Sequence, residues 1–259
     1  MPYPRHASAP PSGLFQTCTQ LAKRLGCVYG FEHELPRTWA RPGTDAFDPV
    51  SDLWHFFRLG KPLCMLFNVY ATYMRWPPIS YTTELRLSNA NMCKALVMRF
   101  ILALKERLGW DPDDTFTVSQ LYLNDTNGFV RVVRTVDRLV TLLEERGLVH
   151  LHTPHPYDTP EQLIRTAPPD QRELVSRELL ESERKYVSDL EILQAYASAL
   201  SQYDLVSQDT LHHIFGNLDQ LVDAQRRFLI CLEQNAQNPA DKLLLTAIFR
   251  AVEARSGIH

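Results

Sequence analysis

The hydrophobic positions of residues 170–200 recur at the spacing of one long amphipathic helix. Their apolar side chains fall three or four residues apart, or at multiples of these steps, so they form a stripe on a helix and do not alternate as in a strand. No glycine or proline interrupts the stretch. The pattern therefore predicts a continuous helix of about 45 Å. The predicted stripe consists of Val175, Leu179, Tyr186, Leu190, Leu193, Ala197 and Leu200.

Other stretches with the same periodicity predict further helices along the chain. Asp48 is placed to cap the first of them. Thr117 with Gln120 has the spacing of a capping box, in which two side chains satisfy free amides at a helix start. Asp170 with Glu173 has the same spacing ahead of the long helix. The other predicted helices span residues 49–57, 63–70, 88–108, 129–146, 207–234 and 239–257. The sequence therefore predicts an all-α protein.

The sequence also predicts a turn, a glycine contact and an apolar face in three of these helices. Residues 125–128 are expected to form a turn before the 129–146 helix, whose core face includes Val132, Val136 and Leu139. Gly216 lies inside the 207–234 helix, where we expect it to permit the close approach of a neighbouring helix. The predicted apolar face of the 88–108 helix includes Met92, Ala95, Leu96, Met98, Arg99, Phe100, Leu102 and Ala103.

Composition and charge exclude several classes of protein. The chain has 259 residues, 45% hydrophobic and 22% charged, as expected for a globular protein of about two domains. Residues 170–259 carry 9 basic and 14 acidic side chains, a net charge of −5, which argues against nucleic-acid binding. No apolar segment fits a signal peptide or a transmembrane helix. The five cysteines lack CxxC spacing, so we expect reduced and mostly buried thiols.

Proline-rich stretches indicate where the domains end. Residues 1–13 contain four prolines and are predicted to be a disordered lead, and residues 150–169 contain five and are predicted to be a linker. The resulting division is a helical domain at 14–149 and a second one at 170–259. The linker histidines His150, His152 and His155 lack companion ligands with metal-site spacing, so we interpret them as solvated.

Two segments of the second domain resemble the Dbl-homology (RhoGEF) domains, which are exchange factors for Rho-family GTPases. ELLESERKYVSDL resembles the first signature helix of that family, and HIFGNLDQLVDAQRRFLICLE resembles the second block. The resemblance implies that Glu178 contacts switch I of the GTPase. By composition alone, Glu178 would be a solvated carboxylate paired with a neighbouring base. Glu183 falls within the apolar stripe, so we interpret it as structural and paired.

The first domain resembles the calponin-homology fold. The resemblance rests on DLWHFFRLGKPLCMLFN and FTVSQLYLNDTNGFVRVVRTVDRLVTLLEERG. A calponin-like domain directly ahead of a Dbl-homology domain is the order found in fungal polarity exchange factors. That likeness implies that residues 14–149 bind G-protein subunits, a polarity scaffold or a Ras-like GTPase. It also implies a cytoplasmic protein that is recruited to the cell cortex at sites of polarised growth.

The sequence contains no motif for bond-making or hydrolytic chemistry. There is no GxxxxGK[ST], HExxH or GxSxG motif, so we expect no enzyme activity of that kind, no cofactor and no metal site. The leading hypothesis is a guanine nucleotide exchange factor, or a fragment of one. The alternatives are a non-catalytic adaptor that docks partners through its calponin-like domain, and an actin crosslinker.

The resemblance to Dbl-homology domains fades after Asn238, about halfway through such a domain. We therefore expect a truncated product or a reading frame that runs through an intron. A partial bundle would offer less surface to a GTPase and would leave apolar stripes uncovered. We expect weak or no exchange activity and a tendency to self-associate.

Overall fold

The computed structural model describes residues 13–31, 48–81, 90–150 and 171–237, and confirms the all-α prediction for these ranges. The one β feature among them is an isolated antiparallel bridge between Val28 and Val149. The helices are α1 (Leu14–Gly26), α2 (Pro49–Arg58), α3 (Lys61–Tyr73), α4 (Ala90–Leu108), α5 (Val118–Tyr122), α6 (Thr126–Glu145), α7 (Gln171–Gln202), α8 (Gln208–Phe215) and α9 (Leu218–Gln237). The chain divides into two compact units, Cys18–Thr166 and Met1–Thr17 with Ala167–His259.

The first unit, Cys18–Thr166, is organised around Trp54 on α2. Its ring stacks on Phe129 of α6 with centroids 4.5 Å apart, and its indole N–H donates to the Leu121 carbonyl at 2.8 Å. Arg58 lies over the same ring and donates to the carbonyls of Leu121 and Tyr122. The expected start of α2 is confirmed, because the Asp48 carboxylate accepts from two amides of the first turn. These contacts hold α2, α5 and α6 together.

A close approach between α3 and α4 depends on Gly60. Gly60 precedes α3 with φ of 71°, a conformation that favours glycine. A Cβ at this position would lie 2.6 Å from the Cys93 carbonyl oxygen and 2.8 Å from the Leu96 Cβ. Gly109, with φ of 66°, follows α4 and ends it as predicted.

The predicted apolar face of α4 is partly wrong. Leu96, Phe100 and Ala103 are buried, but Met92, Met98 and Leu102 are exposed. The core face also contains Cys93, Val97, Ile101 and Leu104. Apolar residues occur all round this helix, so its periodicity does not define a single face. The face that is buried is the one on which Gly60 and α3 pack.

The helix starts around residue 120 are capped by side chains. The Thr117–Gln120 capping box is confirmed, with both of its hydrogen bonds present. The expected turn at residues 125–128 is wrong, because the Asp125 carboxylate caps α6 and Thr126–Gly128 already belong to its first turn. The predicted core face of α6 is confirmed by the burial of Val132, Val133, Val136, Leu139, Val140 and Leu143.

The second unit, Met1–Thr17 with Ala167–His259, contains the predicted long helix as α7. The single helix expected over residues 207–234 is wrong, because the chain forms α8 and α9 with a break at Gly216 and Asn217. A Cβ at Gly216 would lie 2.5 Å from the His212 carbonyl oxygen, within the preceding turn. Gly216 therefore permits the break between two helices and not the approach of a neighbouring one.

The predictions for the cysteines and the linker histidines are confirmed only in part. All five cysteines are free, with Cys18, Cys64 and Cys93 buried as predicted. His150 is not fully solvated as predicted, because its ring packs on Tyr29 with centroids 3.9 Å apart. The proline-rich lead up to residue 12, the segment 151–170 with its cap at Asp170, and the predicted final helix lie outside the described residues.

Candidate partner-binding face of the long helix

The inner face of α7 packs antiparallel on α9. Leu190 of α7 lies in a small apolar cluster with Leu218 and Val222 of α9, and Val187 is also buried. Phe215 of α8 packs against the same cluster. These contacts fix which side of α7 is available to a partner.

Polar side chains complete the inner face. Glu191 of α7 pairs with Arg226 of α9 at 2.7 Å, and Arg226 is only 4% exposed. Further along α7, Gln194 donates to Asp219 at 2.6 Å. Buried ions are tolerated when they are paired and hydrogen-bonded, so these contacts specify the register of α7 on α9.

The Arg184–Glu233 pair lies towards the N-terminal half of α7. Two guanidinium nitrogens of Arg184 contact Glu233 Oε1 at 2.8 Å, and Glu233 is 2% exposed. Burial raises the pKa of the Glu233 carboxyl, and the hydrogen bond and charge of Arg184 partly offset that rise. Glu233 Oε2 has no hydrogen-bond partner among the described residues. This pair was not predicted from the sequence, although a glutamate directly after the apolar positions Leu229 and Leu232 was a signal for it.

The paired role predicted for Glu183 is confirmed. Its carboxylate accepts a hydrogen bond from the Gln225 amide of α9. Glu183 lies about 20° round the helix from the buried Leu190 at 3.6 residues per turn, so it belongs to the inner face. The Glu183 carboxylate is therefore used in a contact within its own chain and is not available to a partner.

Glu178 lies away from the inner face of α7. It is exposed and makes no hydrogen bond or ion pair with the residues that the structure describes. Its position is about 120° from Leu190 round the helix axis. Lys185, Asp189 and Tyr196 are exposed on the same side of α7, and we call these three residues with Glu178 the outer face. The outer face offers two carboxylates, one ammonium group and an aromatic ring to a partner.

The apolar stripe predicted for α7 is partly wrong. Leu190 is buried and Ala197 is partly buried, but Val175, Tyr186 and Leu193 are exposed. Most of the predicted stripe lies beside the inner face and not on it, because α7 carries apolar residues on two adjacent sides. The sequence cannot choose between the two directions without knowing where α9 packs.

Within the described ranges, no group of three or more metal-ligating side chains comes together. None of the helices described there combines the length and hydropathy that crossing a bilayer requires. The outer face is suited to a protein partner, because it combines charged side chains with an aromatic ring.

Two family matches define the class of protein that carries these helices. Residues 48–140 match the family described as CDC24 Calponin, and residues 175–255 match the RhoGEF domain. The chain is thus of the class in which a calponin domain precedes a RhoGEF domain. It belongs to the CDC24 calponin family over the first range and to the RhoGEF family over the second, which confirms both resemblances.

Two relatives share most of the chain. Over 216 residues it is 37% identical to the Rho guanine nucleotide exchange factor scd1 of Schizosaccharomyces pombe, a match covering 82% of this chain and 24% of that protein. Over 216 residues it is 31% identical to cell division control protein 24 of Saccharomyces cerevisiae, covering 80% of this chain and 24% of that protein. The chain therefore spans about a quarter of the length of these relatives.

One solved structure is also similar. Autoinhibited Vav1 covers 93% of this chain, with 47% of its own chain matched, at 20% identity and a TM-score of 0.33. A likeness at this level carries no argument about the arrangement of the helices.

Proposed function

We propose that this chain is a guanine nucleotide exchange factor, or a fragment of one, for a Rho-family GTPase. The observation that supports the proposal is the exposure of Glu178 on α7, inside the range that matches the RhoGEF domain. A carboxylate without a partner among the described residues is free to accept hydrogen bonds from another protein. In this proposal Glu178 contacts switch I.

Exchange requires a change of binding energy and no covalent chemistry. A GTPase that holds its nucleotide at nanomolar to picomolar strength retains it with about 12 to 16 kcal/mol. An exchange factor offsets that energy by binding the emptied GTPase better than the loaded one, as a catalyst binds a transition state better than a substrate. In this proposal the contacts beyond Glu178 move switch II and displace the GTPase's own Mg²⁺ and phosphate contacts.

We propose that exchange by the 259-residue chain is weak. A stable protein complex usually buries about 1,200 to 2,000 Å² in total. An interface of that size involves about 20 to 30 residues on each partner, and the outer face comprises four. Glu178 would then contribute to recognition without supplying all of the energy that GDP release requires.

Release of a fluorescent GDP from a Rho-family GTPase tests this proposal. We expect the full chain to accelerate release modestly, and Glu178→Ala to remove most of the acceleration. Asp209→Ala is a matched control, because Asp209 is an exposed carboxylate on α8 in the same unit. Release that is unchanged by the wild-type chain at saturating concentration, or equally fast with Glu178→Ala, would contradict the proposal.

The first domain and the cellular location are separate proposals. We propose a domain at 14–149, a linker at 150–169 and a second domain at 170–259. The similarity to fungal exchange factors supports residues 14–149 as a docking site for G-protein subunits, a polarity scaffold or a Ras-like GTPase, in a cytoplasmic protein recruited to the cell cortex. Capture of these partners by the chain, with and without residues 14–149, tests the docking proposal.

A further inference from the structure

The chain that follows α3 carries a proline pair on the surface of the first unit. The sequence has three such pairs, at residues 10–11, 77–78 and 168–169, and the second of them lies within the described residues. Pro77 and Pro78 are both exposed, and the backbone from Trp76 to Tyr81 forms neither helix nor turn. A proline fixes its own φ at about −65° and disfavours the α region for the residue before it. Trp76 and Pro77 each precede a proline, so both are restricted to extended or polyproline II backbone.

Side chains of α3 and α4 hold this stretch in its extended form. Asn68 of α3 donates to the Ile79 carbonyl at 3.0 Å and accepts from the Ile79 amide at 2.7 Å. Arg107 of α4 donates to the Pro77 carbonyl at 2.6 Å. These hydrogen bonds restrict the backbone before any partner binds. A partner that binds the stretch in this form therefore loses little affinity to the ordering of the chain.

The backbone carbonyls of the stretch alternate between used and available. The carbonyls of Pro77 and Ile79 accept hydrogen bonds from α4 and α3, as described above. Those of Trp76 and Pro78 accept none from the residues that the structure describes. Domains that recognise polyproline II segments bind them in aromatic-lined grooves. The tyrosine and tryptophan side chains of such a groove carry O–H and N–H donors, for which the two available carbonyls are acceptors.

The surface around the proline pair is apolar and basic. Tyr73 and Met74, at the end of α3, are 49% and 39% exposed. Arg75 is exposed and has a left-handed backbone with φ of 57°, so the chain turns sharply ahead of the prolines. The exposed Arg99 of α4 donates to the Ser80 carbonyl at 3.1 Å. The stretch from Tyr73 to Ser80 contains no acidic residue, although the whole chain has a net charge of −3.

We propose that residues 73–80, which we call the proline strip, dock a proline-recognition domain of the SH3 or WW type whose groove has an acidic edge. Pro77 and Pro78 pack between aromatic side chains of the groove, and Arg75 pairs with a carboxylate at its edge. The proposal names one class of partner for the docking role proposed for residues 14–149, and it rests on that role.

The chemistry of the proline strip favours a protein groove over an anionic membrane. Membrane-binding basic segments gather four to eight lysines and arginines, whereas the strip and its α4 neighbours offer two exposed arginines, Arg75 and Arg99. A lipid surface also makes no use of two proline rings and two backbone acceptors in a fixed extended form. These features are the ones that an aromatic groove recognises.

Binding of the full chain to a panel of purified SH3 and WW domains tests the proposal. We expect a domain of the panel to bind in the micromolar range, and the Pro77→Ala, Pro78→Ala double variant to raise the dissociation constant at least tenfold. The Pro10→Ala, Pro11→Ala double variant is the matched control and should leave the affinity unchanged. Binding by no domain of the panel, or binding that the first double variant leaves intact, overturns the proposal. Circular dichroism establishes that the variants remain folded.

A charge reversal tests the acidic edge of the groove. Arg75→Glu should weaken the complex at least tenfold, because it places a carboxylate opposite another one. Arg134→Glu is the matched control, since Arg134 is an exposed arginine on α6 without a partner among the described residues. Equal affinities for the two variants would overturn the pairing of Arg75.

Two further outcomes separate this proposal from its alternatives. Cosedimentation of the chain with phosphatidylcholine–phosphatidylserine vesicles, lost in Arg75→Glu but kept in the Pro77→Ala, Pro78→Ala variant, would indicate a membrane and overturn the proposal. Capture of G-protein subunits or a Ras-like GTPase through residues 14–149, without binding to any domain of the panel, would overturn the proline strip and leave the docking role standing.

Discussion

Glu233 shows how burial and pairing act in opposite directions on one carboxyl group. Desolvation raises its pKa, while the guanidinium of Arg184 favours the ionised form. The net shift is upward, so the folded chain holds a proton on Glu233 at pH values where the unfolded chain has lost it. The stability that this proton contributes is present at acidic pH and is lost as the pH rises through the raised pKa.

Glu233→Gln tests this linkage, because it removes the titrating group and keeps a hydrogen-bond acceptor for Arg184. The free energy of unfolding of the wild type should therefore fall relative to that of the variant as the pH rises from acidic to neutral. Urea denaturation at a series of pH values measures the difference. Glu181→Gln, at an exposed position on α7, controls for the substitution itself. The raised pKa of Glu233 would be contradicted if the difference in unfolding free energy between the wild type and Glu233→Gln did not change with pH. It would also be contradicted if the wild type gained stability over the variant as the pH rose.

At the residue scale, the sequence predicted roles that follow from local pattern and missed those that need a distant partner. The Thr117–Gln120 box and the Asp48 cap depend on residues three positions apart or fewer, and both are present. The pairing of Glu183 followed from its place in an apolar stripe. Arg184 and Glu233 are far apart in the chain, so only the packing of α7 on α9 brings them together.

Among the helices, the contact of α3 with α4 gives a second prediction. Gly60→Ala combines a positive φ with a clash against the α4 backbone, so we expect a loss of at least about 3 kcal/mol in unfolding free energy. Gly109→Ala is the matched control. Gly109 also has a positive φ, but a Cβ added there would have no atom within 4 Å, so the loss should be about 1 to 2 kcal/mol. Denaturant unfolding measures both, and equal losses would contradict the close approach.

The packing of α7 on α9 gives a third prediction. Arg226→Ala removes a 4%-exposed guanidinium that contacts Glu191 of α7, so we expect a loss of about 2 to 4 kcal/mol. Arg227→Ala is the neighbouring control. Arg227 pairs with Asp223 one turn away on α9 itself, and such pairs contribute only about 0.5 kcal/mol or less. Thermal or urea unfolding distinguishes the two. A comparable effect of both variants would argue against an α7–α9 contact of this kind.

At the element scale, periodicity predicted helices better than it predicted faces. The core of α6 followed directly from its sequence, because its apolar residues point in one direction. In α4 and α7 they point in more than one, so the buried side depended on neighbouring helices. The break between α8 and α9 was missed because apolar positions continue in phase past Gly216.

For the whole molecule, the order of the two domains could be inferred from signature segments, whereas the surface that each presents could not. The matches over residues 48–140 and 175–255 confirm the class. The availability of Glu178 depends on α9 covering the other side of α7, which is a property of packing.

We propose that the outer face of α7 recognises a GTPase through Glu178. The most direct test is the affinity of the full chain for one Rho-family GTPase in its nucleotide-free and GDP-bound forms. We predict that the emptied form binds at least tenfold more tightly, a difference of about 1.4 kcal/mol or more, and that Glu178→Ala removes most of this preference. Equal affinities for the two forms, or a preference that Glu178→Ala leaves intact, would contradict the account.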